Sequence, residues 1–391
     1  YTASLYNGLS RLFAMAFDID FTICVIVMAV LTGIYVIAGG YMATAINDFI
    51  QGIIMLFGIC AVIAAVLQSK GGFTEAMHSL AEVQDPEATT MNGAFASFLG
   101  PDPLNLLGVV VLTSLGTWGL PQMVQKFYAI NSENAIKKGT IISTLFAVVV
   151  SGGCYFLGGF GRLFSDQVDV VANGFDSIIP TMLSGLSDAL IGLVVLLVLS
   201  ASMSTLSSLV IASSSTLTLD FINKNFIKDM SEKTQVRMIR VLIVVFILIS
   251  VVIALIQYNS SVTFIAQLMG ISWGALAGSF LGPLIYGLYW KKTTKSGCWA
   301  SFIFGAGTMI LVMLCPQIFP AVLQSPINAG AFAMIASLIL VPVVSLLTPK
   351  PSDKLVDECF RCYEAPATVA SKVALPDEEE LEKHEKKQSK K

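Results

Sequence analysis

Long apolar stretches separated by short polar segments run through most of the chain. Charged residues are missing from residues 189–219, 261–290 and 296–349, and about 20 apolar residues are enough to cross a bilayer as a helix. Counting at that length predicts one partial helix at the start and nine complete spans after it. The nine predicted spans lie near 21–40, 45–67, 103–126, 136–161, 188–219, 236–256, 262–290, 297–316 and 328–348.

Two of these predicted spans contain residues that a lipid-facing helix has little reason to carry. The span near 103–126 has two glycines and a proline between Ser114 and Pro121, and the span near 188–219 has a run of serines and threonines. Both are therefore expected to be interrupted helices.

Basic residues fall in alternate loops, and this predicts an orientation. Loops rich in Lys and Arg face the cytoplasm; the basic loops lie at 126–138, 224–240 and 291–295, whereas those at 69–102 and 162–187 are acidic or neutral. The pattern predicts a multi-pass cell-membrane protein with a transmembrane domain over 1–349 and a cytoplasmic tail over 350–391. The tail is rich in Lys and Glu, so it is expected to be largely disordered.

Composition excludes a water-soluble domain. Hydrophobic residues make up 55% of the 391 residues and charged residues 13%, with a mean hydropathy of +0.77, while soluble domains carry about a quarter charged residues. The net charge is −3 and no basic face is available for nucleic acid. The lipid bilayer is the partner this composition implies, and no obligate protein partner is predicted.

Catalysis and metal chemistry are not predicted. The histidines, His78 and His384, lie outside the predicted spans, so the serines have no base and the chain is expected to be a non-enzyme without catalytic residues or a cofactor. Cys359 and Cys362 form the one close cysteine pair, but a zinc site needs two further ligands that are not nearby.

The densest polar cluster within a span is Ala201-Ser-Met-Ser-Thr-Leu-Ser-Ser208. Positions 201, 204, 205 and 208 are spaced so that they share one helix face. Hydroxyl and carbonyl oxygens are the ligands that a small hard cation needs, which makes this face a candidate Na⁺ site in mid-membrane. The alternative is that the hydroxyls only bond back to their own helix or join helices together.

Asp48 is the one charged residue between Phe21 and Gln68. A carboxylate within a span is costly and by default indicates a functional site. Since Asp48 lies near the start of its predicted span, the alternative is that it caps the N-terminus of a helix at the membrane surface.

The segment from Ser114 to Pro121 is a candidate solute site. Glycines and a proline within a span allow the helix to unwind, and transporters place substrates at such breaks near the midplane. Thr117 would then donate a hydrogen bond and Trp118 would form a stacking wall. The alternative is a tolerated kink filled by a packed Trp118.

Four glycines recur at a spacing of four residues, at Gly270, Gly274, Gly278 and Gly282. Small residues at this spacing favour close packing of helices, and a sliding gate surface is the alternative.

These motifs occur in an order that resembles the sodium:solute symporter family. The resemblance runs from Tyr1 to about Pro349 and is carried by Gly39-Gly40, Asp48-Phe-Ile-Gln51, Gly119-Leu-Pro121 with Lys126, Ala201-Ser-Met-Ser-Thr205, and Gly282-Pro283 with Trp290-Lys-Lys. It implies an all-α, polytopic membrane protein with a LeuT-like inverted repeat of five plus five helices. On this resemblance the chain is an N-terminally truncated fragment that begins at the end of the family's fourth helix, without its first core helices.

The resemblance also implies ligands for the coupling ion. Family members hold Na⁺ with oxygens that match Ala201, Ser204 and Thr205, and some members bind a second Na⁺ with residues that match Asp48, Ser207 and Ser208. The second site is a hypothesis, because the aspartate also occurs in members thought to use one ion.

The function implied is a sodium-coupled secondary active symporter that imports a small organic solute by alternating access. The solute would be an amino acid such as proline, a small carboxylate or a sugar acid, bound by Thr113, Thr117 and Trp118. Proline transporters of the family carry large aromatic residues where this chain has Thr113 and Thr117. The alternative is a proton-coupled transporter or a sensor on the same fold.

Overall fold

The computed structural model describes residues 1–85, 89, 91–127, 130, 132–168, 174–228, 230–260 and 265–364. Every regular element in this part of the chain is helical. The longer α-helices are α1 (Thr2–Phe17), α2 (Phe21–Ser69), α3 (Phe73–Glu82), α4 (Pro103–Gly119), α5 (Pro121–Phe127), α6 (Glu133–Phe146), α7 (Gly152–Gly159), α8 (Ile178–Ser184), α9 (Asp188–Ser215), α10 (Glu232–Ser260), α11 (Ile265–Tyr289), α12 (Lys295–Leu314), α13 (Pro326–Leu347) and α14 (Asp353–Glu364).

Shorter helical turns connect or extend these helices. Two π-helical stretches, Ala147–Ser151 and Thr216–Ile222, join α6 to α7 and prolong α9. The remaining turns are 3-10 or short α-helices, at Ala94–Ala96, Phe160–Gln167, Phe175–Ser177, Asn223–Asn225, Pro316–Ile318 and Ala321–Gln324.

Eight helical segments in the described residues are long and apolar enough to cross a membrane. They are Phe21–Gly39, Ala45–Ser69, Asn134–Gln167, Asp188–Asn225, Glu232–Asn259, Ile265–Tyr289, Lys295–Leu314 and Pro326–Leu347. The chain is thus a multi-pass, all-α membrane protein. These segments overlap eight of the predicted spans, and the exception is the span near 103–126.

That span is divided by a break between α4 and α5. Leu120 has an extended backbone (φ −89°, ψ 112°), and α5 begins at Pro121. Proline can start a helix but cannot continue one, because it has no N–H and its ring collides with the preceding turn. The expected interruption of the span near 188–219 is wrong, however, since α9 is an unbroken α-helix from Asp188 to Ser215.

Helix α2 contains two of the apolar segments in one run of helical backbone, yet it bends sharply. Asn47 Nδ2 donates to the hydroxyl of Tyr35 at 3.0 Å, although residues twelve positions apart on a straight helix are separated by about 18 Å. Gly39 and Gly40 lie within this interval, and helices kink at such residues. The two halves of α2 therefore lie close to each other.

Both halves of α2 pack along α9. Thr32 in the first half contacts Met203, with Oγ1 and Sδ 3.5 Å apart, and Gly58 in the second half lies so close to Leu197 that a Cβ there would be 2.9 Å from the Leu197 Cδ1 atom. The two contacts are about 9 Å apart along α9 but would be about 39 Å apart along a straight α2. The bend thus places α9 beside two antiparallel segments.

The helices with extensive mutual contacts form two groups. In the first group, α1, α2, α9 and α10 surround an apolar core that includes Tyr6, Leu9, Val36, Leu206, Val210, Ile243 and Ile247. In the second group, α11 packs against α4, α12 and α13. Helix α1 also contacts α11, with the rings of Tyr1 and Trp273 edge to face at 5.7 Å.

The predicted glycine ridge is the packing surface of the second group. A Cβ on Gly274 would lie 2.6 Å from the Cα of Gly330, and one on Gly278 would lie 2.8 Å from the Cβ of Ala333. Atoms cannot approach this closely, so glycine is required for α11 to reach α13. The packing interpretation of the ridge is confirmed.

Two prolines inside these helices each leave a backbone carbonyl without its usual helical donor. Pro283 in α11 frees the carbonyl of Ser279, which accepts the hydroxyl of Ser301 from α12 at 3.0 Å. Pro342 in α13 frees the carbonyl of Leu338, which accepts the hydroxyl of Tyr286 from α11 at 2.9 Å. In each case a hydroxyl group from a neighbouring helix donates to the carbonyl that the proline leaves free.

The segment after the last span starts with a helix. Helix α14 covers Asp353–Glu364, and Lys291 lies over the ring of its Phe360 at 5.6 Å. The disordered tail stays a prediction, because its Lys- and Glu-rich part falls outside the described residues. Cys359 is exposed, and nothing is described for the side chain of Cys362.

Candidate functional site

The three predicted Na⁺ ligands lie together on one face of α9. The carbonyl oxygen of Ala201 accepts the hydroxyl of Thr205 at 3.0 Å and that of Ser204 at 3.2 Å. All three residues are half-buried. Each hydroxyl directs its hydrogen into the helix and so keeps its lone pairs for another ligand. The three oxygens therefore form a compact acceptor cluster, although the back-bonding that the alternative interpretation requires is also present.

The next turn of α9 repeats this arrangement. Ser207 donates to the carbonyl of Ser204 at 3.0 Å, and Ser208 donates to the carbonyl of Thr205 at 3.1 Å. Ser207 is fully buried, whereas Ser208 is half-buried. Four hydroxyl groups thus lie within five residues, about one and a half turns of α9, and its backbone remains α-helical.

Asp48 lies in the half of α2 that follows the bend. The N-terminus of α2 is capped by Asp20, whose Oδ1 accepts the backbone N–H groups of Thr22 and Ile23. Asp48 is an interior residue of this helix, and the interpretation of Asp48 as an N-cap is therefore wrong. Its side chain is half-buried and lies close enough to Tyr35 for the two groups to interact electrostatically.

The packing register places Asp48 at the same depth as Ser207. Gly58 contacts Leu197, and this half of α2 runs antiparallel to α9. Asp48 comes ten residues before Gly58, and Ser207 comes ten residues after Leu197. Two antiparallel helices with equal rise per residue therefore bring these positions level. The structure thus brings the two parts of the predicted second ion site to one depth of the first helix group.

The predicted solute-binding residues lie on α4, in the other helix group. Thr113 donates to the carbonyl of Val109 at 2.8 Å, and Thr117 donates to that of Ser114 at 3.1 Å. Trp118 is 66% exposed, so the interpretation of Trp118 as the packed filling of a kink is wrong. The side chain packed at this point is Trp273, whose ring lies against Gly116.

The structure does not bring the solute residues and the ion residues into one pocket. Helix α4 packs mainly on α11 and α13, whereas α9 packs mainly on α1, α2 and α10. The exposed Thr117 and Trp118 lie on the face of α4 that those partners leave open.

One polar pocket was not predicted. It has a volume of about 330 Å³ and is lined by Arg11, Phe21, Ser177, Thr181, Ser184 and Tyr258 among others. Arg11 lies over the ring of Tyr258 at 5.2 Å and donates to Asn7 Oδ1 at 2.7 Å. The available signal was that Arg11 is the one charged residue in α1, since a lone charge in an apolar helix indicates a special environment.

Beside this pocket, Asp176 ties the loop before α8 to the start of α11. Its two carboxylate oxygens accept the backbone N–H of Ile265 at 3.1 and 3.2 Å. Burial raises the pKa of Asp176, while that hydrogen bond and the positive charge of Arg11 oppose the rise. Desolvation disfavours the charged carboxylate more than these two partners favour it.

Comparison with known proteins identifies the family. The model of the sodium:solute symporter family matches residues 1–305. The sodium/proline symporter of Staphylococcus aureus is 27% identical over 359 residues, which cover 90% of this chain and 67% of that protein. The corresponding protein of Staphylococcus aureus strain JH9 gives the same figures.

A solved structure shares the fold. The substrate-bound, outward-open state of a Na⁺-coupled sialic acid symporter superimposes with a TM-score of 0.62 at 16% identity, covering 90% of this chain and 75% of that one. The predicted all-α, LeuT-like membrane fold is confirmed. Because the family model covers well over half of its residues, the chain belongs to the sodium:solute symporter family.

Proposed function

We propose that this sodium-coupled symporter imports a small organic solute by alternating access and binds its coupling ion on α9. The observation that supports the ion site best is the cluster of Ala201, Ser204 and Thr205, in which the two hydroxyl oxygens lie 3.2 and 3.0 Å from the carbonyl oxygen of Ala201. A carbonyl and two hydroxyls offer a hard, uncharged oxygen set in a span, which suits Na⁺.

A second ion is proposed at Asp48, Ser207 and Ser208. Asp48 supplies a negative charge that would compensate a cation at the depth of Ser207, where an uncompensated charge of either sign is costly. The same carboxylate supports the alternative function, a proton-coupled transporter, because a carboxyl group in a span can carry a proton instead of pairing with Na⁺.

The solute is proposed to bind at the break between α4 and α5. Thr113 and Thr117 offer hydroxyls, and Trp118 offers a flat apolar face. The matched relatives named as sodium/proline symporters support an amino acid such as proline, although a small carboxylate or sugar acid would use the same groups. In the orientation proposed from the basic loops, the protein lies in the cell membrane with its C-terminal tail in the cytoplasm.

The driving force of one ion is sufficient for accumulation. A Na⁺ ion moving down about 100 mV releases about 2.3 kcal/mol, and a tenfold concentration gradient adds about 1.4 kcal/mol. Together these sustain a solute gradient of roughly a few hundredfold.

The test uses the full-length protein in proteoliposomes and measures uptake of labelled solutes as a function of Na⁺ concentration. We expect Thr205→Ala and Ser204→Ala each to raise the Na⁺ concentration for half-maximal uptake about tenfold or more, since each removes one ligand. Ser215→Ala is the matched control, because Ser215 makes the same back-bond to Ala212 on the same helix at 3.0 Å. If Thr205→Ala and Ser215→Ala raise this Na⁺ concentration equally, the proposed Na⁺ site is wrong.

A second set of measurements tests how many Na⁺ ions are coupled to uptake and whether protons are coupled instead. With two Na⁺ ions, uptake should rise with a Hill slope near two, and Asp48→Asn should lower that slope to about one. If uptake instead follows a pH gradient without Na⁺, coupling by sodium is disproved.

A further inference from the structure

A cleft between α11 and α12 is lined by none of the proposed ion or solute residues. Its volume is about 310 Å³. Phe280, Pro283, Cys298, Trp299 and Phe302 form most of its walls, and Lys295 lies at its edge. Since Lys295 is the first residue of α12, the cleft runs from one membrane surface into the span.

The walls of the cleft are mainly aromatic and apolar. The ring of Phe302 packs edge to face against Phe280 at 5.8 Å and against Trp299 at 5.7 Å, and such pairs hold aromatic rings in place. Ser279 is the polar wall residue inside the span, and its hydroxyl is directed away to the carbonyl of Ala275 at 2.6 Å. The interior of the cleft therefore has a mainly apolar lining.

The aromatic walls remain uncovered by the protein. Trp299 is 54% exposed and Phe302 is 40% exposed. In a span of a multi-pass membrane protein, large apolar side chains with this exposure face lipid or another apolar partner. Pro283 contributes to the concave shape, because helices kink at proline.

The edge of the cleft is positively charged. Lys291, Lys292 and Lys295 lie within five residues, and no Asp or Glu occurs between Glu232 and Asp353. The ion pairs found among the described residues do not include Lys295. The acidic residues nearest in sequence, Asp353, Asp357 and Glu358, are exposed on α14.

We infer that this cleft binds one anionic phospholipid, with an acyl chain between the aromatic walls and the phosphate at Lys295. A narrow apolar cleft that ends in a cation at the membrane surface matches both parts of such a lipid, and basic pockets between spans bind anionic headgroups. The lysine-rich loop places the site in the cytoplasmic leaflet. A bound lipid would cover Trp299 and Phe302 and connect α11 to α12.

The test uses the full-length protein in vesicles that contain phospholipids with brominated acyl chains, which quench tryptophan fluorescence on contact. The difference between wild type and Trp299→Leu isolates the signal of Trp299. We expect brominated phosphatidylglycerol to quench this signal at about fivefold lower mole fraction than brominated phosphatidylcholine, the preference that one lysine provides near an anionic headgroup.

Lys295→Gln should remove the preference, and Lys292→Gln, which changes a lysine outside the cleft, should retain it. Equal quenching by the two lipids in wild type would overturn the inference, as would loss of preference in both lysine variants. Native mass spectrometry of the wild type and of Lys295→Gln provides a second readout: retention of one phosphatidylglycerol by the wild type alone is the expected result, and equal retention contradicts it. Neither measurement depends on transport.

Discussion

Asp176 shows how one buried carboxylate links stability to pH. Its burial raises the pKa, so the folded protein holds a proton that the unfolded chain has already released. Folded stability is therefore full at low pH and falls as the pH rises above 3.8, the ordinary value, until the raised pKa is passed.

We predict that Asp176→Asn removes this loss of folded stability with rising pH. Asparagine keeps an oxygen that can accept the N–H of Ile265 but does not ionise. The thermal midpoint of the variant should therefore exceed that of the wild type increasingly as the pH rises from its acid limit. Asp166→Asn, at an exposed position, is the control and should follow the wild type. A constant difference between Asp176→Asn and the wild type would show that ionisation is not the cause.

Sequence spacing was sufficient to predict that the proposed ion residues share one helix face, but not to reveal the pocket at Arg11. Ala201, Ser204 and Thr205 share a face because of helical periodicity alone, and that pattern is local. Arg11 lines one pocket with Thr181 and Tyr258 only because α1, α8 and α10 come together. Contacts of that kind depend on tertiary packing, which a single apolar pattern does not encode.

The kinked helices of the second group depend on hydroxyls from their neighbours. Ser301 is fully buried. Its hydroxyl donates to the carbonyl of Ser279 and also forms a hydrogen bond of 2.8 Å with the hydroxyl of Ser337. The hydroxyl of Tyr286 donates to the carbonyl of Leu338. Removing either donor leaves a carbonyl unsatisfied in an apolar environment, where the penalty exceeds the value of the bond itself.

We predict that Ser301→Ala and Tyr286→Phe each destabilise the protein by about 1–3 kcal/mol. Thermal unfolding in detergent measures the effect. The matched controls are Ser296→Ala and Tyr289→Phe, both at exposed positions on the same helices, and they should stay within about 0.5 kcal/mol of the wild type. If Tyr286→Phe behaves like Tyr289→Phe, the carbonyl of Leu338 does not need its donor.

Hydropathy predicted the positions of most helices, because a run of about 20 apolar residues is typical of a membrane-spanning helix. The break at Leu120 also followed from sequence, since Pro121 cannot continue a helix. The continuity of α9 did not, because serine and threonine satisfy their hydroxyls on the preceding turn and leave the helix intact. The π-helical stretches carry no comparable signal in the sequence.

For the whole molecule, the two helix groups separate the proposed ion residues from the proposed solute residues. Coupling between ion and solute requires a change that both ligands favour. Helix α1 contacts helices of both groups, so a displacement of α4 relative to α9 would involve α1.

The bend in α2 also leads to a prediction for the orientation of the molecule. If the two apolar segments cross the membrane in opposite directions, a cysteine at Ala45 lies on the cytoplasmic side with one at Lys292, and a cysteine at Gln84 lies outside. In a background without native cysteines, a membrane-impermeant maleimide applied to intact cells should label Gln84→Cys alone. Labelling of Ala45→Cys from outside would contradict the proposed orientation.

The bent α2 has a consequence for how the chain enters the membrane during synthesis. About 120 residues separate Ser69 from the start of α9, so at usual rates of translation α2 waits on the order of ten seconds for that partner. Polar groups in lipid must meanwhile find partners nearby. The hydrogen bond between Tyr35 and Asn47 joins the two halves from within α2, which allows this hairpin to form before α9, its later packing partner, has been made.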